Sequence, residues 1–144
     1  MTERIRSERE TQRRVVGLFT DGTRADGLGY AYLGDWSRRE GNRNIEPACL
    51  TAHLHRRGYS DLQISAALRQ LQAAAEVGSH GLYDANLRTY QLLRYGADVQ
   101  TALGEPTRKV HYIDWQTPGN NHFALAEEVT LRGGLERRPD LVLY

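Results

Sequence analysis

Three carboxylates stand out as residues that could carry out chemistry: Asp140, Glu8 and, more weakly, Glu127. Asp140 follows Pro139 at the start of an alternating apolar segment, whereas Glu127 interrupts an otherwise apolar row. Carboxylates near cations suit phosphodiester hydrolysis, because this reaction needs oxygen ligands for Mg²⁺ and a cation that stabilises charge on the phosphate. Structural interpretations stay open: Asp140 could cap a turn or pair with a neighbouring arginine, and Glu127 could protect an edge strand.

The cations of the chain are almost all arginine, because Lys109 is the single lysine among 19 Lys and Arg residues. They cluster in the first segment, in a central loop and in the C-terminal segment, which contains Arg132, Arg137 and Arg138. Arginine presents a planar fork that suits phosphate, so these three side chains are candidate DNA contacts. The 18 interspersed acids leave a second interpretation open, a solvated and salt-bridged surface.

Other chemistries are disfavoured by the spacing of the residues that they need. His53 and His55 are two apart on a predicted helix and face different ways, so a zinc site is not expected. The lone Cys49 lies in an apolar helical pattern without a paired base, and it cannot form an internal disulfide. No glycine-rich nucleotide-binding string is present, so ATP is not expected to bind this chain.

Length and composition predict one soluble domain. The 144 residues, of which 40% are hydrophobic and 26% charged, suffice to bury a core without cross-links. No apolar run approaches the roughly 18 residues that span a bilayer, and the amino terminus does not resemble a signal peptide. We therefore expect a cytoplasmic protein with no membrane contact.

Four helices are predicted, and they occupy mainly the first two thirds of the chain. Capping boxes open the first and third, a proline opens the second and a glycine ends the fourth: Ser7–Glu10, Ser60–Gln63, Pro47 and Gly96. In the first helix Glu10 is committed to the cap, which leaves Glu8 free for another role. In the fourth, the residues expected to face inward are Leu82, Tyr83, Leu87, Tyr90 and Leu93.

Strands are predicted mainly in the last third. Alternating segments run over Gly29–Gly34, Val99–Leu103 and Lys109–Asp114, and a closing hairpin pairs a strand through Glu127 with one from Asp140 to Tyr144. In the last strand Leu141 and Leu143 are expected to point into the core. The predicted class is therefore α/β, with helices mainly N-terminal and a mixed or antiparallel sheet mainly C-terminal.

Six strings of the sequence, in one order from about Ser7 to Tyr144, resemble a known family. They are SERETQRRVV, YAYLGDWSRREGNRNIE, RRGYSDLQISAAL, LLRYGADV, KVHYIDWQTPGNNHFALAEEVT and RRPDLVLY. The chain resembles the amino-terminal region of the restriction (motor and nuclease) subunit of type I restriction–modification enzymes. So many separate strings in one order are specific to a subfamily rather than to a fold.

The resemblance implies a restriction-endonuclease-like core of the PD-(D/E)xK type, in which a Pro-Asp pair and a following Glu-x-Lys lie on adjacent strands of one hairpin. Pro139 and Asp140 match its first half, so Asp140 is the expected catalytic and Mg²⁺-binding residue. Glu8 matches a first-helix position that often carries an additional acid. The family's whole subunit cuts double-stranded DNA, uses ATP at motor domains absent from this chain, and assembles with methyltransferase and specificity subunits.

The sequence departs from the family pattern at its end. It stops at Tyr144, before the strand that would bring Glu-x-Lys, and Lys109 lies upstream of Asp140 on a different predicted strand. We therefore expect the last hairpin to be incomplete and the 144-residue chain to be inactive by itself. The alternative is a non-catalytic DNA- or subunit-binding module that uses a nuclease-like scaffold.

Overall fold

A computed structural model describes residues 7–144, which form four α-helices and five β-strands. In chain order these are α1 (Glu8–Thr20), β1 (Ala31–Asp35), α2 (Pro47–Arg56), α3 (Asp61–Ala75), α4 (Gly81–Tyr95), β2 (Ala97–Val99), β3 (Arg108–Val110), β4 (Ala124–Glu127) and β5 (Leu141–Leu143), with short 3₁₀ turns at Gly78–His80 and Pro118–Asn120. The predicted α/β class is confirmed. Within residues 7–144 no helix has both the length and the apolar character to cross a membrane.

Both predicted capping boxes form. In α1 the Ser7 hydroxyl accepts the Glu10 N–H and the Glu10 carboxylate accepts the Ser7 N–H at 3.1 Å. In α3 the Ser60 and Gln63 pair makes the same two bonds. These bonds satisfy backbone donors that a helix start leaves unpaired, and each cap contributes about 1 kcal/mol. The starts of α1 and α3 are therefore determined locally.

The contacts divide the chain into two compact units. One comprises the described residues as far as Asn44 together with Phe123–Tyr144, and the other is Ile45–His122. The first unit is thus built from two separate stretches of sequence, and the second from a single one.

The first unit contains a mixed three-stranded sheet in the order β1-β4-β5. β1 runs parallel to β4 and places Asp35 opposite Glu127, whereas β5 runs antiparallel to β4 and places Leu141 opposite Glu127. The consecutive residues Ala124, Leu125 and Ala126 are all fully buried. A strand that is buried at consecutive positions is covered on both faces, so β4 is the centre of this unit.

Helix α1 is attached to the first unit near its C-terminal end. The Phe19 and Tyr30 rings meet edge to face at 5.1 Å between centroids, and Tyr30 stacks on Phe123 at 5.2 Å. Each aromatic pair contributes about 0.5–1.5 kcal/mol beyond the burial of its area. No residue of α1 is fully buried, and Val15, Val16 and Leu18 are partly buried, as Phe19 is.

The second unit has its own hydrophobic core. The core residues come from α2, α3, the β2–β3 hairpin and the segment after it: Leu54, Ile64, Ala67, Leu71, Ala97, Val99, Val110 and Tyr112. The Tyr112 side chain is 2% exposed, and its hydroxyl donates to the Ala67 carbonyl at 2.6 Å. A buried hydroxyl therefore has a partner, as the cost of desolvating it requires.

The predicted inward face of α4 is confirmed at Leu93, which is partly buried and packs against the core of the second unit, and is wrong at its other four residues. Leu82, Tyr83, Leu87 and Tyr90 are 64%, 78%, 41% and 58% exposed, whereas Ala85 is buried. Helix α4 packs on α3 through the face that carries Ala85. Since its apolar residues extend around more of the helix than one neighbour covers, the larger ones remain in solvent.

Two strand predictions also need correction. Leu143 was expected in the core but is 52% exposed, because β5 is paired on one side only among the described strands. The segment predicted as Val99–Leu103 ends as a strand at Val99, and Leu103 is fully exposed. The chain turns there, with Glu105 donating its N–H to the Ala102 carbonyl and Gly104 at a φ of 84° that favours glycine.

His53 is a buried polar residue in the core of the second unit. Its Nε2 lies 3.0 Å from the Tyr112 carbonyl, which can only accept, so Nε2 carries the proton. Nδ1 is buried and has no hydrogen-bond partner among the described residues. Burial lowers the pKa of His53 below its ordinary value of 6.5, and the charges of Arg57, Arg56 and His122 lower it further against the opposing Tyr112 hydrogen bond.

We predict that acidification destabilises the protein through His53 and that His53→Gln weakens this effect. Since the folded pKa is lowered, the unfolded state binds more protons at acid pH. The contribution of neutral His53 is fully present above the unfolded pKa of 6.5 and is lost as the pH falls through the folded value. Glutamine keeps an N–H for the Tyr112 carbonyl but does not titrate. Urea unfolding followed by circular dichroism at stepwise pH measures the change in the free energy of unfolding.

His55→Gln is the matched control for this experiment. His55 lies on the same helix, but its side chain is 48% exposed, and its Nε2 lies 3.1 Å from Asp61 Oδ1. Since His55→Gln retains the buried His53 ring, it should still lose stability on acidification as the wild type does. Equal pH dependence in the wild type and in His53→Gln would show that the buried ring does not carry the effect.

Candidate functional site

The first unit contains a polar cleft of about 560 Å³. Its lining residues come from α1, the end of β1, the end of β4 and the segment that leads into β5: Glu8, Arg9, Gln12, Arg13, Asp35, Ser37, Glu127, Glu128, Arg138 and Asp140. Five carboxylates and three guanidinium groups give these residues a formal charge of −2. The cleft is therefore acidic, with cations interspersed.

Both residues singled out from the sequence as metal ligands, Glu8 and Asp140, line this cleft. Glu8 is available because the neighbouring acid, Glu10, is used in the cap of α1. Asp140 directly precedes β5, and its backbone carbonyl accepts the Glu128 N–H at 2.8 Å. The fold thus brings together two acids that are far apart in sequence.

The three arginines of the C-terminal segment separate in the structure. Arg138 lines the cleft, and its Nε lies 3.0 Å from Glu128 Oε2. Arg132 lies outside the cleft lining, is 71% exposed and is 4.0 Å from Glu136. The backbone of Arg137 pairs with that of Leu131, and its side chain is absent from the lining. Of these predicted DNA contacts, only Arg138 lies beside the acids.

Two further arginines, Arg9 and Arg13, line the cleft. The sequence alone did not assign them to a site. They are four residues apart on α1 and therefore lie on one face of the helix. Their spacing of four residues was the feature of the sequence that indicated a shared face. Because the position of α1 in the unit depends on distant contacts, the sequence did not show which face would meet the cleft.

Glu127 and Glu128 both line the cleft, although adjacent residues of a strand normally point to opposite faces. Glu128 has a φ of 51°, and it is the sole non-glycine residue between 7 and 144 with a positive φ. This left-handed conformation ends the alternation of β4 after Glu127. A backbone of this kind is costly for a residue with a Cβ and is often found at functional sites.

A hydrogen-bond network holds these two carboxylates. The Tyr32 hydroxyl donates to Glu127 Oε2, and the Gln12 amide donates to Glu127 Oε1 at 3.3 Å and to Glu128 Oε1 at 3.2 Å. The bond to Glu127, followed by burial, raises the pKa of Tyr32 to about 12. Two interpretations of Glu127 were open from the sequence, a gatekeeper of an edge strand, which was favoured, and a buried group that is hydrogen-bonded for function. The first is wrong, because β4 lies between β1 and β5.

Asp35 is a cleft residue that sequence reasoning missed. It was placed in a loop after a strand ending at Gly34, whereas it is the last residue of β1 and lies opposite Glu127. Hydrogen bonding to Ser37 holds the pKa of Asp35 below its usual range, with smaller contributions from the charges of Arg138 and Arg38. An acid directly after an alternating segment was the one signal for it.

The carboxylates of the cleft differ in their availability. Among the described residues, neither Glu8 nor Asp140 has a side-chain hydrogen bond or ion pair, whereas Glu127, Glu128 and Asp35 each have partners. The alternative structural role of Asp140, pairing with a neighbouring arginine, is therefore not realised. Glu8 and Asp140 are the two acids that remain free to bind a cation.

Carboxylate oxygens fit Mg²⁺ in chemical type. Over residues 7–144 no group of three or more His, Cys, Asp or Glu side chains is arranged to hold a metal ion. Mg²⁺ often keeps several waters and takes only one or two protein carboxylates together with phosphate oxygens. Glu8 and Asp140 both line the cleft and offer carboxylate oxygens of that type.

The single lysine of the chain does not line the cleft. Lys109 belongs to β3 in the second unit, and its Nζ lies 2.7 Å from Asp98 Oδ1. A cation that stabilises charge at the phosphate would have to come from the arginines of the cleft or from outside the described residues.

Comparison with known proteins identifies the family. A family model described as the type I restriction enzyme R protein N terminus matches residues 11–144. No curated protein and no solved structure matches the chain. Because the family model covers nearly the whole sequence, the chain belongs to the family of type I restriction enzyme R protein N-terminal regions.

Proposed function

We propose that the cleft is the nuclease site of a type I restriction enzyme R subunit, with a PD-(D/E)xK-type core and double-stranded DNA as substrate. The observation that carries the proposal is that one cleft contains three arginines and two carboxylates, Glu8 and Asp140, that have no side-chain partner among the described residues. Membership of the R protein family supports it. The complete enzyme includes methyltransferase and specificity subunits, and ATP is used by motor domains rather than by this chain.

The charge of the cleft favours a metal-dependent enzyme over a simple phosphate-binding module. A lining with a formal charge of −2 repels DNA, whereas one divalent cation would balance that charge. When bound, Mg²⁺ supplies Lewis-acid stabilisation of the charge that develops on the phosphate.

In this proposal the acids of the cleft bind the cation and the arginines bind the phosphate. Asp140 and Glu8 hold the cation from two elements of the first unit. Arg138, Arg9 and Arg13 contact the phosphate oxygens, because guanidinium groups present a fork of donors that matches a phosphate. Since the cleft lining contains no lysine, we propose that the 144-residue chain has little activity alone and is completed by further groups in the R subunit. The second candidate is a non-catalytic DNA- or subunit-binding module. It is favoured by the absence of a lysine from the cleft lining.

Asp140→Asn in an assembled type I restriction complex should lower the rate of Mg²⁺-dependent DNA cleavage about a hundredfold or more, because the amide removes a charge that holds the cation. The measurement is conversion of circular to linear DNA over time. Asp98→Asn is the matched control, since Asp98 is an exposed acid of β2 in the second unit. Cleavage by Asp140→Asn at the rate of the wild type would remove Asp140 from the site.

DNA binding by the 144-residue chain should strengthen when about millimolar Mg²⁺ is added at constant ionic strength. A module that binds phosphate by arginine alone predicts the opposite, because a divalent cation competes for the phosphates. Fluorescence anisotropy of a labelled duplex measures the affinity. Asp140→Asn should abolish the enhancement and Asp98→Asn should keep it. Weaker binding of the wild type in Mg²⁺ would favour the non-catalytic module.

A further inference from the structure

The first turn of α1, which carries Glu8, is exposed, and the hydrogen bonds of Gln12 are the described side-chain contacts nearest to it that join α1 to another element. Residues 7–11 are all exposed, and Gln12 is the first residue along the helix that is partly buried. The aromatic contact of α1, through Phe19, lies near the other end. The location of the Glu8 carboxylate therefore depends on Gln12.

Gln12 is attached to β4 by both of its N–H groups. Its Nε2 donates to Glu127 Oε1 at 3.3 Å and to Glu128 Oε1 at 3.2 Å. A primary amide has two hydrogens to donate, so its donor capacity is fully used. Hydrogen bonds to charged acceptors are stronger than neutral ones. This is a firm anchor for a helix that has no fully buried residue.

The spacing of Gln12 and Glu8 connects the anchor to the site. Residues four apart on a helix lie on the same face, about one turn from each other. When Gln12 is fixed on β4, Glu8 is held over the same cleft. The capping box keeps this turn helical independently of Gln12, because its two bonds join Ser7 and Glu10.

We infer that Gln12 is a positioning residue that fixes the first turn of α1 on β4 and thereby delivers the Glu8 carboxylate to a cation at Asp140. This inference rests on the proposed function, because it assigns Gln12 a role in that metal site. Removing an outer partner of a metal ligand typically lowers metal affinity or activity about 10- to 100-fold.

The test uses Mn²⁺ as a paramagnetic probe for Mg²⁺ on the full ¹⁵N-labelled chain. Bound Mn²⁺ broadens the backbone amide signals that lie close to it. In the wild type, the amides of Glu8 and Arg9 and those of Asp140 and Leu141 should broaden at the same Mn²⁺ concentration. In Gln12→Met, which keeps the length of the side chain but has no N–H donor, broadening of the Asp140 and Leu141 amides should require a Mn²⁺ concentration about 10- to 100-fold higher.

Two further variants separate positioning from a general structural effect. Thr11→Met makes a similar change at an exposed neighbouring position of α1 and should broaden as the wild type does. Gln12→Met in a Glu8→Gln background should not raise the required Mn²⁺ concentration further, because the carboxylate that Gln12 positions is already absent. A purely structural role for Gln12 would raise that concentration in both backgrounds.

The outcomes distinguish the metal site itself from the positioning role of Gln12. Absence of broadening at Asp140 in the wild type overturns the proposed metal site and, with it, this inference. Broadening at Asp140 at the same Mn²⁺ concentration in Gln12→Met as in the wild type overturns the positioning role of Gln12 and leaves the metal site intact. A higher Mn²⁺ requirement in Gln12→Met, but not when the same change is made in the Glu8→Gln background, supports the inference.

Discussion

Two adjacent carboxylates at the end of β4 have to be held side by side, and the rest of the cleft depends on how the chain does this. The left-handed backbone of Glu128 brings both side chains to one cleft. Three neighbours then stabilise them: Tyr32 from β1, Gln12 from α1 and Arg138 from the segment before β5. The hydrogen bonds and the ion pair of these two carboxylates thus connect α1, β1 and the segment before β5 to the end of β4. Glu8 and Asp140, in contrast, have no side-chain partner among residues 7–144.

The first unit depends on the parallel pairing of β1 and β4, which requires a long connection between these strands. Parallel strands cannot be joined by a tight turn, and the second unit, Ile45–His122, is the connection between β1 and β4. Its own buried core compensates for the entropy of ordering so long a connection. The register of β1 on β4 then places Asp35 opposite Glu127, which makes an acid of a predicted loop part of the cleft.

What the sequence predicted correctly depended on local chemistry. The capping boxes at Ser7 and Ser60 and the strand after Pro139 rest on residues within a few positions of each other, and all of them formed. The position of Asp35 opposite Glu127 depended on strand pairing, and the paired use of Glu127 and Glu128 depended on one left-handed residue. The sequence has no local signal for that pairing or for that backbone conformation. The inward face of α4 failed for a related reason. Its periodicity was real, but the neighbours available to cover it are a property of the whole unit.

A cleft crowded with carboxylates can relieve its repulsion in two ways. The acids can take up protons, which requires raised pKa values, or they can bind cations and N–H donors. Asp35 follows the second course, since hydrogen bonding to Ser37 lowers its pKa and keeps it charged. Glu127 and Glu128 receive N–H and O–H donors. Glu8 and Asp140 have no side-chain hydrogen bond or ion pair within the described chain. In the proposed function a divalent cation balances the charge that the arginines leave, and it brings a phosphate to them.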